Sequence, residues 1–155
     1  MPSSSVLLIS ANKMSKFLIL FLFALINNTE LDGIQVYVPE KMKKLSDNTY
    51  LLNVKQGEEF YIKLFGNPRN WAFWNLKNYE QIPDTLDDFC KKGHYFKYVP
   101  KLINGKLYPG EGGHFFYKFK ALKQSSNEIS LKFFYSLGNQ EEPDLVINID
   151  ISSEN

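Results

Sequence analysis

The sequence predicts an all-β protein, on three observations. Aromatic residues make up 15% of the 155-residue chain, and aromatic and β-branched side chains are typical of strands. From Ile34 onward apolar and polar residues alternate with period two, as in strands that place one face on a core. Short motifs rich in Gly, Asn, Ser and Pro separate these runs. Seven or eight short strands punctuated in this way predict an immunoglobulin-like β-sandwich.

Four runs carry the clearest alternation, and four shorter runs complete the set. The long runs cover residues 60–64, 115–121, 129–135 and 145–151, and the shorter ones 34–38, 50–54, 72–76 and 95–99. In the first long run Phe60, Ile62 and Leu64 share one face, and Tyr61 and Lys63 lie on the other. Phe116 and Phe134 also fall on outer faces, where two interpretations stay open. They either pair across strands within the sheet or form an exposed patch.

The N-terminus predicts a cleaved signal peptide over residues 1–29. Lys13 and Lys16 precede an unbroken apolar run at 17–26, and a polar stretch follows it. Ten residues rise about 15 Å as a helix, too short for a hydrocarbon core of about 30 Å. Met14 offers an alternative start, and a membrane anchor or a core helix is the alternative interpretation. We expect one domain over 30–155, in the secretory pathway: secreted, or in the lumen of an endomembrane or lysosome-like compartment.

Composition and motifs argue against several function classes. A formal charge of +1 does not fit a nucleic-acid-binding domain. Cys90 is the single cysteine, so the chain has no internal disulfide. Cys90 and His94, with Asp87 and Asp88 nearby, supply too few ligands for a structural zinc site and no scaffold for a catalytic thiol. We therefore expect no enzyme activity, no metal, no cofactor and no stable membrane span.

Two loops are the parts of the sequence from which a function can be predicted. The first begins at Asn67-Pro68 and ends at Trp74, and the second is Pro109 to Gly113, directly before an alternating strand. A glycine-rich loop offers a partner mainly backbone, because glycine adopts positive φ and allows close approach. We expect Trp74 to lie in the core, since it falls within a strand.

These motifs resemble the chagasin-like inhibitors of papain-family cysteine peptidases. The family's first loop, Asn-Pro-Thr-Thr-Gly-Tyr-x-Trp, corresponds to residues 67–74, where Arg69-Asn70-Trp71 replace Thr-Thr-Gly. Its second loop, Gly-x-Gly-Gly, corresponds to residues 110–113, and Tyr135-Ser136-Leu137 stand where the family has Arg-Pro-Trp. The resemblance implies that three loops at one end of the sandwich bind the peptidase. The implied contact residues are Asn67, Pro68, Arg69, Asn70, Trp71, Gly110, Glu111, Gly112, Gly113, Tyr135, Ser136 and Leu137.

The residue types of the loops predict a role for each, with a plain hairpin turn as the alternative for Gly112-Gly113. Trp71 is expected as an aromatic anchor, Gly112 and Gly113 as backbone lying on the cleft wall, and Tyr135 with Leu137 as contacts on the other side. Gly112→Trp is expected to weaken binding, whereas Lys123→Ala is not. The hypothesis is a monomeric, secreted, reversible inhibitor of papain-like cysteine peptidases, either the organism's own or a host's.

A different binding module on the same fold is the alternative. Secreted sandwiches with exposed aromatic residues also bind carbohydrate or mediate adhesion, and fold alone does not separate these functions. Convergence of the loops of Trp71, Gly112 and Leu137 at one end favours the inhibitor. A flat strip of exposed aromatic side chains on a sheet face favours the alternative.

Overall fold

The computed structural model describes residues 30–68, 72–135 and 140–153. The chain divides into two units, residues 1–36 and 37–155, and the first is described only from Glu30 onward. In the first unit, β1 (Glu30–Leu31) and the start of β2 (Ile34–Tyr37) pair antiparallel, with Leu31 opposite Ile34. The predicted signal peptide over 1–29 lies outside the described residues and stays a prediction, as does the single domain over 30–155.

One layer of the second unit is built around its longest strand, β11 (Gly113–Ala121). β5 (Glu59–Gly66) pairs antiparallel with β11 along its length, from Gly113 opposite Gly66 to Lys120 opposite Glu59. The other edge of β11 pairs antiparallel with β8 (Lys97–Pro100) at its start and with β7 (Leu86–Asp88) at its end. This arrangement places the end of β5 beside the beginning of β11.

The second layer has the strand order β3-β4-β13-β12-β6. Its members are β3 (Lys43–Lys44), β4 (Thr49–Lys55), β6 (Trp74–Leu76), β12 (Ile129–Tyr135) and β13 (Leu145–Ser152). β4 runs parallel to β13, whereas the other neighbours are antiparallel. The described part of the unit also holds a separate hairpin of β9 (Leu102–Ile103) and β10 (Lys106–Leu107) and short 3₁₀ turns at Pro39–Lys41 and Tyr79–Gln81.

The core lies between the two layers, so the predicted all-β sandwich is confirmed. Alternate residues of both sheets form one buried apolar cluster, and the rings of Tyr117 and Phe133, on β11 and β12, lie 4.9 Å apart. All eight predicted strands are present. β1, β3, β7, β9 and β10 are additional, because two or three residues are too few to show an alternating pattern. No helix within the described ranges is long and apolar enough to cross a membrane.

The outer faces of the sheets are more buried than the alternation indicates. Tyr61, Lys63, Phe116 and Phe134 each expose 6% of their surface or less. The ring of Tyr61 meets Phe116 edge-on at 5.9 Å, and Phe96 lies 6.1 Å from Tyr61 on the same face. Phe116 therefore pairs across strands, and neither Phe116 nor Phe134 belongs to an exposed patch. Lys63 lies on the outer face of β5, as the alternation predicts, but it is buried there.

Candidate functional site

The described parts of the three predicted loops meet at one end of the second unit. Pairing of Gly113 with Gly66 sets Asn67 and Gly112 side by side where β5 ends and β11 begins. β12 ends at the same place, because Tyr135 is hydrogen-bonded to Asn67. The structure thus brings together Asn67, Gly110 to Gly113 and Tyr135, which the sequence places up to 68 residues apart.

Tyr135 braces the start of the first loop. Its hydroxyl accepts a hydrogen bond from the Asn67 backbone N at 2.6 Å and donates one to the Asn67 backbone O at 2.7 Å. The Tyr135 ring lies 5.0 Å from the Trp74 ring, and the Trp74 indole donates to the carbonyl of Phe65. Through these two hydrogen bonds the half-buried Tyr135 fixes the backbone of Asn67.

Asn67 connects the first loop to the second. Its side-chain Nδ2 donates to the backbone O of Gly110 at 2.6 Å. A primary amide supplies donors and an acceptor in one plane, and here one donor spans the gap between two loops. Asn67 therefore links the chain segments that carry Tyr135 and Gly110.

Close packing requires glycine at two positions. Gly112 has φ +78°, and a Cβ there would lie 2.7 Å from the carbonyl O of Gly66 and 3.3 Å from the Asn67 Cα. A Cβ at Gly66 would lie 2.8 Å from the Tyr135 ring. Side chains at these positions would push the first loop, the second loop and Tyr135 apart. The sequence predicts Gly66 only as part of a turn signal before Asn67-Pro68, and not as a residue of the site.

The second loop presents less backbone than the sequence analysis expected. Gly112 and Gly113 are buried within the protein's own chain, and the Gly112 carbonyl accepts a hydrogen bond from Lys101 N at 2.9 Å. Pro109 and Glu111 are exposed and Gly110 is half-buried. The surface that this loop offers to a partner is therefore Pro109 to Glu111.

The remaining predicted contacts divide into two groups. Pro68 is exposed beside Asn67, as a contact residue requires, and Trp74 is half-buried and packs against the core, as expected. Arg69, Asn70, Trp71, Ser136 and Leu137 lie outside the described residues, so their contact roles stay predictions. The sequence analysis missed Asp144, whose carboxylate accepts a hydrogen bond from the Tyr135 backbone N at 2.7 Å.

Cys90 has the environment of a structural cysteine. Burial, followed by the charge of Asp88, raises the pKa of the Cys90 thiol far above its ordinary value. The thiol is therefore protonated at neutral pH and is a poor nucleophile. Within the described ranges, no group of three or more His, Cys, Asp and Glu side chains could hold a metal ion.

Comparisons with known proteins give matches to solved structures. No protein-family model matches the chain, and no curated protein matches it. The chain is similar to the cysteine protease inhibitor EhICP2 from Entamoeba histolytica, with a TM-score of 0.47 and 17% identity over 77% of this chain and 95% of that one. The solution structure of Amebosin matches with a TM-score of 0.45 and 16% identity over 76% and 96% of the two chains. The structure of PbICP-C in complex with falcipain-2 matches with a TM-score of 0.37 and 18% identity over 76% and 98%.

Proposed function

We propose that this chain is a reversible protein inhibitor of papain-like cysteine peptidases that inserts three loops from one end of its sandwich into the active-site cleft. The observation that carries the proposal is the bonded convergence of Asn67, Gly110 and Tyr135. These residues belong to the segments that correspond to the three binding loops of the chagasin-like inhibitors. The proposal places the protein in the secretory pathway as a monomer, with a peptidase of its own organism or of a host as partner.

Preorganisation supports this mechanism. Association orders loops at a cost of about 0.5–1.5 kcal/mol for each immobilised side chain. The bonds from Tyr135 to Asn67 and from Asn67 to Gly110 hold the bases of two loops before a partner arrives. A rigid loop that fills the cleft also denies the nucleophile the approach of about 3–3.5 Å that reaction requires. The inhibitor therefore binds without being cleaved.

A carbohydrate-binding or adhesion module is the second candidate, and one observation favours it. Phe73, Phe89, Tyr95 and Phe96 line a cavity of about 600 Å³ together with Lys91 and His94. Phe96 exposes 48% of its surface. Aromatic faces in a cavity are suited to stack on sugar rings. This cavity includes none of the predicted peptidase contacts, although Phe73 belongs to the first loop.

Titration against peptidases separates the two candidates. The chain from Glu30 onward is added to papain and to a cathepsin-L-type peptidase, and hydrolysis of a fluorogenic substrate is followed. We expect stoichiometric inhibition, with the added protein intact by mass spectrometry. A folded sample that inhibits neither enzyme but binds immobilised glycans, and loses that binding in Phe96→Ala, would establish the second candidate instead.

A further inference from the structure

A cavity of about 470 Å³ lies in the second unit and includes none of the predicted contact residues. Its volume is in the range of small-molecule sites, about 300–1,000 Å³. The lining combines apolar side chains with ionisable ones. The residues that the argument uses are Glu40, Lys63, Leu64, Phe65, His114 and Leu145.

Lys63 brings an unpaired charge into this cavity. Lys63 exposes only 6% of its surface. In the described part of the chain, no residue forms a hydrogen bond or a salt bridge with its ammonium. Burial lowers the pKa of Lys63 to about 8, while the carboxylate of Glu40 opposes this effect and Lys41 adds to it. The Lys63 Nζ is not one of the fully buried polar atoms that lack a partner in the described structure, so it stays accessible to solvent. An accessible ammonium in a cavity has its three N–H donors available to an anionic ligand.

His114 provides a second unpaired group. Its Nδ1 is buried and has no hydrogen-bond partner in the described structure. Burial, followed by the charges of Lys63 and Lys101, lowers the pKa of His114 to about 4. The imidazole is therefore neutral at physiological pH. A neutral imidazole can donate to a ligand oxygen while Lys63 supplies the positive charge.

The charges around the cavity restrict the class of anion. The carboxylates of Glu40, Asp47 and Asp144 also line it. Asp144 already accepts hydrogen bonds from Tyr135 N and Gln140 Nε2, and Asp47 lies 3.5 Å from Lys44. Three carboxylates repel a multiply charged anion such as phosphate more strongly than a singly charged one. Among anions, the cavity therefore favours one that carries a single negative charge.

The apolar lining specifies the rest of the ligand. Val38, Leu64, Phe65 and Leu145 line the cavity, and the Phe65 ring meets His114 edge-on at 5.4 Å. We propose that the cavity binds a small organic monocarboxylate, whose carboxylate pairs with Lys63 and His114 and whose apolar body lies against Leu64, Phe65 and Leu145. The proposal is independent of peptidase inhibition, which is measured separately.

Binding is expected to depend on pH through Lys63. Paired with a carboxylate, the ammonium stays protonated, so the pKa of Lys63 is higher in the complex than in the free protein. Affinity is then constant below about pH 8 and falls as the free protein loses its proton, by about tenfold per pH unit. Glu40, Lys41, Asp47, Tyr50, Lys101, His114 and Asp144 are the other ionisable residues that line the cavity or act on its two unpaired groups.

Titration with matched probes tests the ligand class. Phenylacetate, phenylacetamide and inorganic phosphate are each titrated into the protein at pH 7 and followed by calorimetry and backbone amide NMR shifts. We expect phenylacetate to bind at least tenfold more tightly than the other two, with the largest shifts at Lys63, Leu64 and His114. Equal binding of the neutral amide, tighter binding of phosphate, or no saturable shifts near Lys63 would overturn the proposal.

A lysine pair supplies the variant control. Lys63→Met removes the charge and keeps the side-chain length, and Lys132→Met makes the same change at an exposed position of β12. We expect Lys63→Met to lose at least tenfold in phenylacetate affinity and Lys132→Met to retain it. The unmodified chain gives a test that needs no variant: about tenfold weaker binding at pH 9 than at pH 7 supports the proposal, and a flat profile contradicts it.

Discussion

At the scale of single residues, Tyr135 shows how one hydroxyl can fix a loop. It accepts from the backbone N and donates to the backbone O of the same residue, Asn67. The pairing of β5 with β11 ends at Gly66. Beyond that point, the two hydrogen bonds from Tyr135 take the place of the bonds that a neighbouring strand would make to the Asn67 backbone. The bond spans 68 residues of sequence, so only the folded chain reveals it.

Removal of this hydroxyl tests the brace. Tyr135→Phe removes both hydrogen bonds between the hydroxyl and the Asn67 backbone. We expect a loss of about 1–3 kcal/mol in the free energy of unfolding, with weaker inhibition of papain. Urea unfolding and inhibition constants measure the two effects. Tyr79→Phe, which removes an exposed hydroxyl bonded to Glu80, is the matched control. An inhibition constant unchanged in Tyr135→Phe would show that the brace is not needed for binding.

Comparing substitutions at Gly112 and Gly105 separates the effect of a positive φ from the effect of close packing. Both have positive φ, +78° and +72°, but a Cβ meets the Gly66 carbonyl at 2.7 Å in the first case and nothing within 4 Å in the second. We expect Gly112→Ala to destabilise the protein by about 1–3 kcal/mol more than Gly105→Ala does. Equal unfolding free energies would show that the loop yields to the added methyl group.

Lys63 predicts the direction of a pH effect on stability. Its pKa is lower in the folded protein than in the unfolded chain, so the unfolded chain binds more protons between about pH 8 and 10.5. The free energy of unfolding therefore gains a contribution that rises with pH across this window. We expect Lys63→Met to be more stable than the unmodified chain at pH 7, with the difference shrinking toward pH 10. If the two free energies of unfolding differed by the same amount at every pH, the Lys63 ammonium would be as well solvated in the folded protein as in the unfolded chain.

At the scale of elements, the second loop combines a buried base with an exposed tip. Gly112 and Gly113 are buried, whereas Glu111 is exposed. A bulky side chain at Gly112 would therefore disturb the fold as well as the interface, so the earlier expectation for Gly112→Trp does not isolate binding. The exposed tip is the position at which a steric block acts on the partner alone.

A steric block at Glu111 tests loop insertion. We expect Glu111→Trp to weaken peptidase inhibition at least tenfold without changing the midpoint of urea unfolding. Lys123→Trp introduces the same side chain at an exposed position after β11, at the far end of that strand, and should inhibit like the unmodified chain. The loop-insertion mechanism fails if both variants inhibit equally.

Alternation in the sequence was enough to predict eight strands but not what covers them. Tyr61 and Lys63 occupy the outer face of β5, as predicted, yet Phe96 packs over Tyr61 and both residues are buried. Phe96 comes from another part of the chain, so a local pattern cannot show this cover. The motifs were likewise enough to predict the order of the loops. The bonds among Asn67, Gly110 and Tyr135 could not be predicted, because they form only when distant strands pair.

At the scale of the whole molecule, β13 organises the second layer. It pairs in parallel with β4, early in the chain, and antiparallel with β12. Parallel neighbours need a long connection, and here that connection contains most of the domain. The second layer therefore closes only when both ends of this unit come together.

Ile147 is the third residue of β13, opposite Tyr50 on one side and Leu131 on the other, and it is fully buried. We expect Ile147→Ala to cost about 2–5 kcal/mol in the free energy of unfolding, measured by urea denaturation. Leu45→Ala, at a residue that is 47% exposed, should stay within about 0.5 kcal/mol of the unmodified chain. A small effect at Ile147 would mean that β13 does not hold the layer together.

The link from Tyr135 through Asn67 to Gly110 has a consequence for diversification. These bonds use one side chain amide, one phenol and backbone atoms, and none of them involves Pro68, Pro109 or Glu111. Substitutions at those exposed positions can therefore accumulate without loss of the frame beneath them. The chain is therefore a scaffold on which binding to new targets can be selected, in nature or by display. The free energy of unfolding stays nearly constant during such selection.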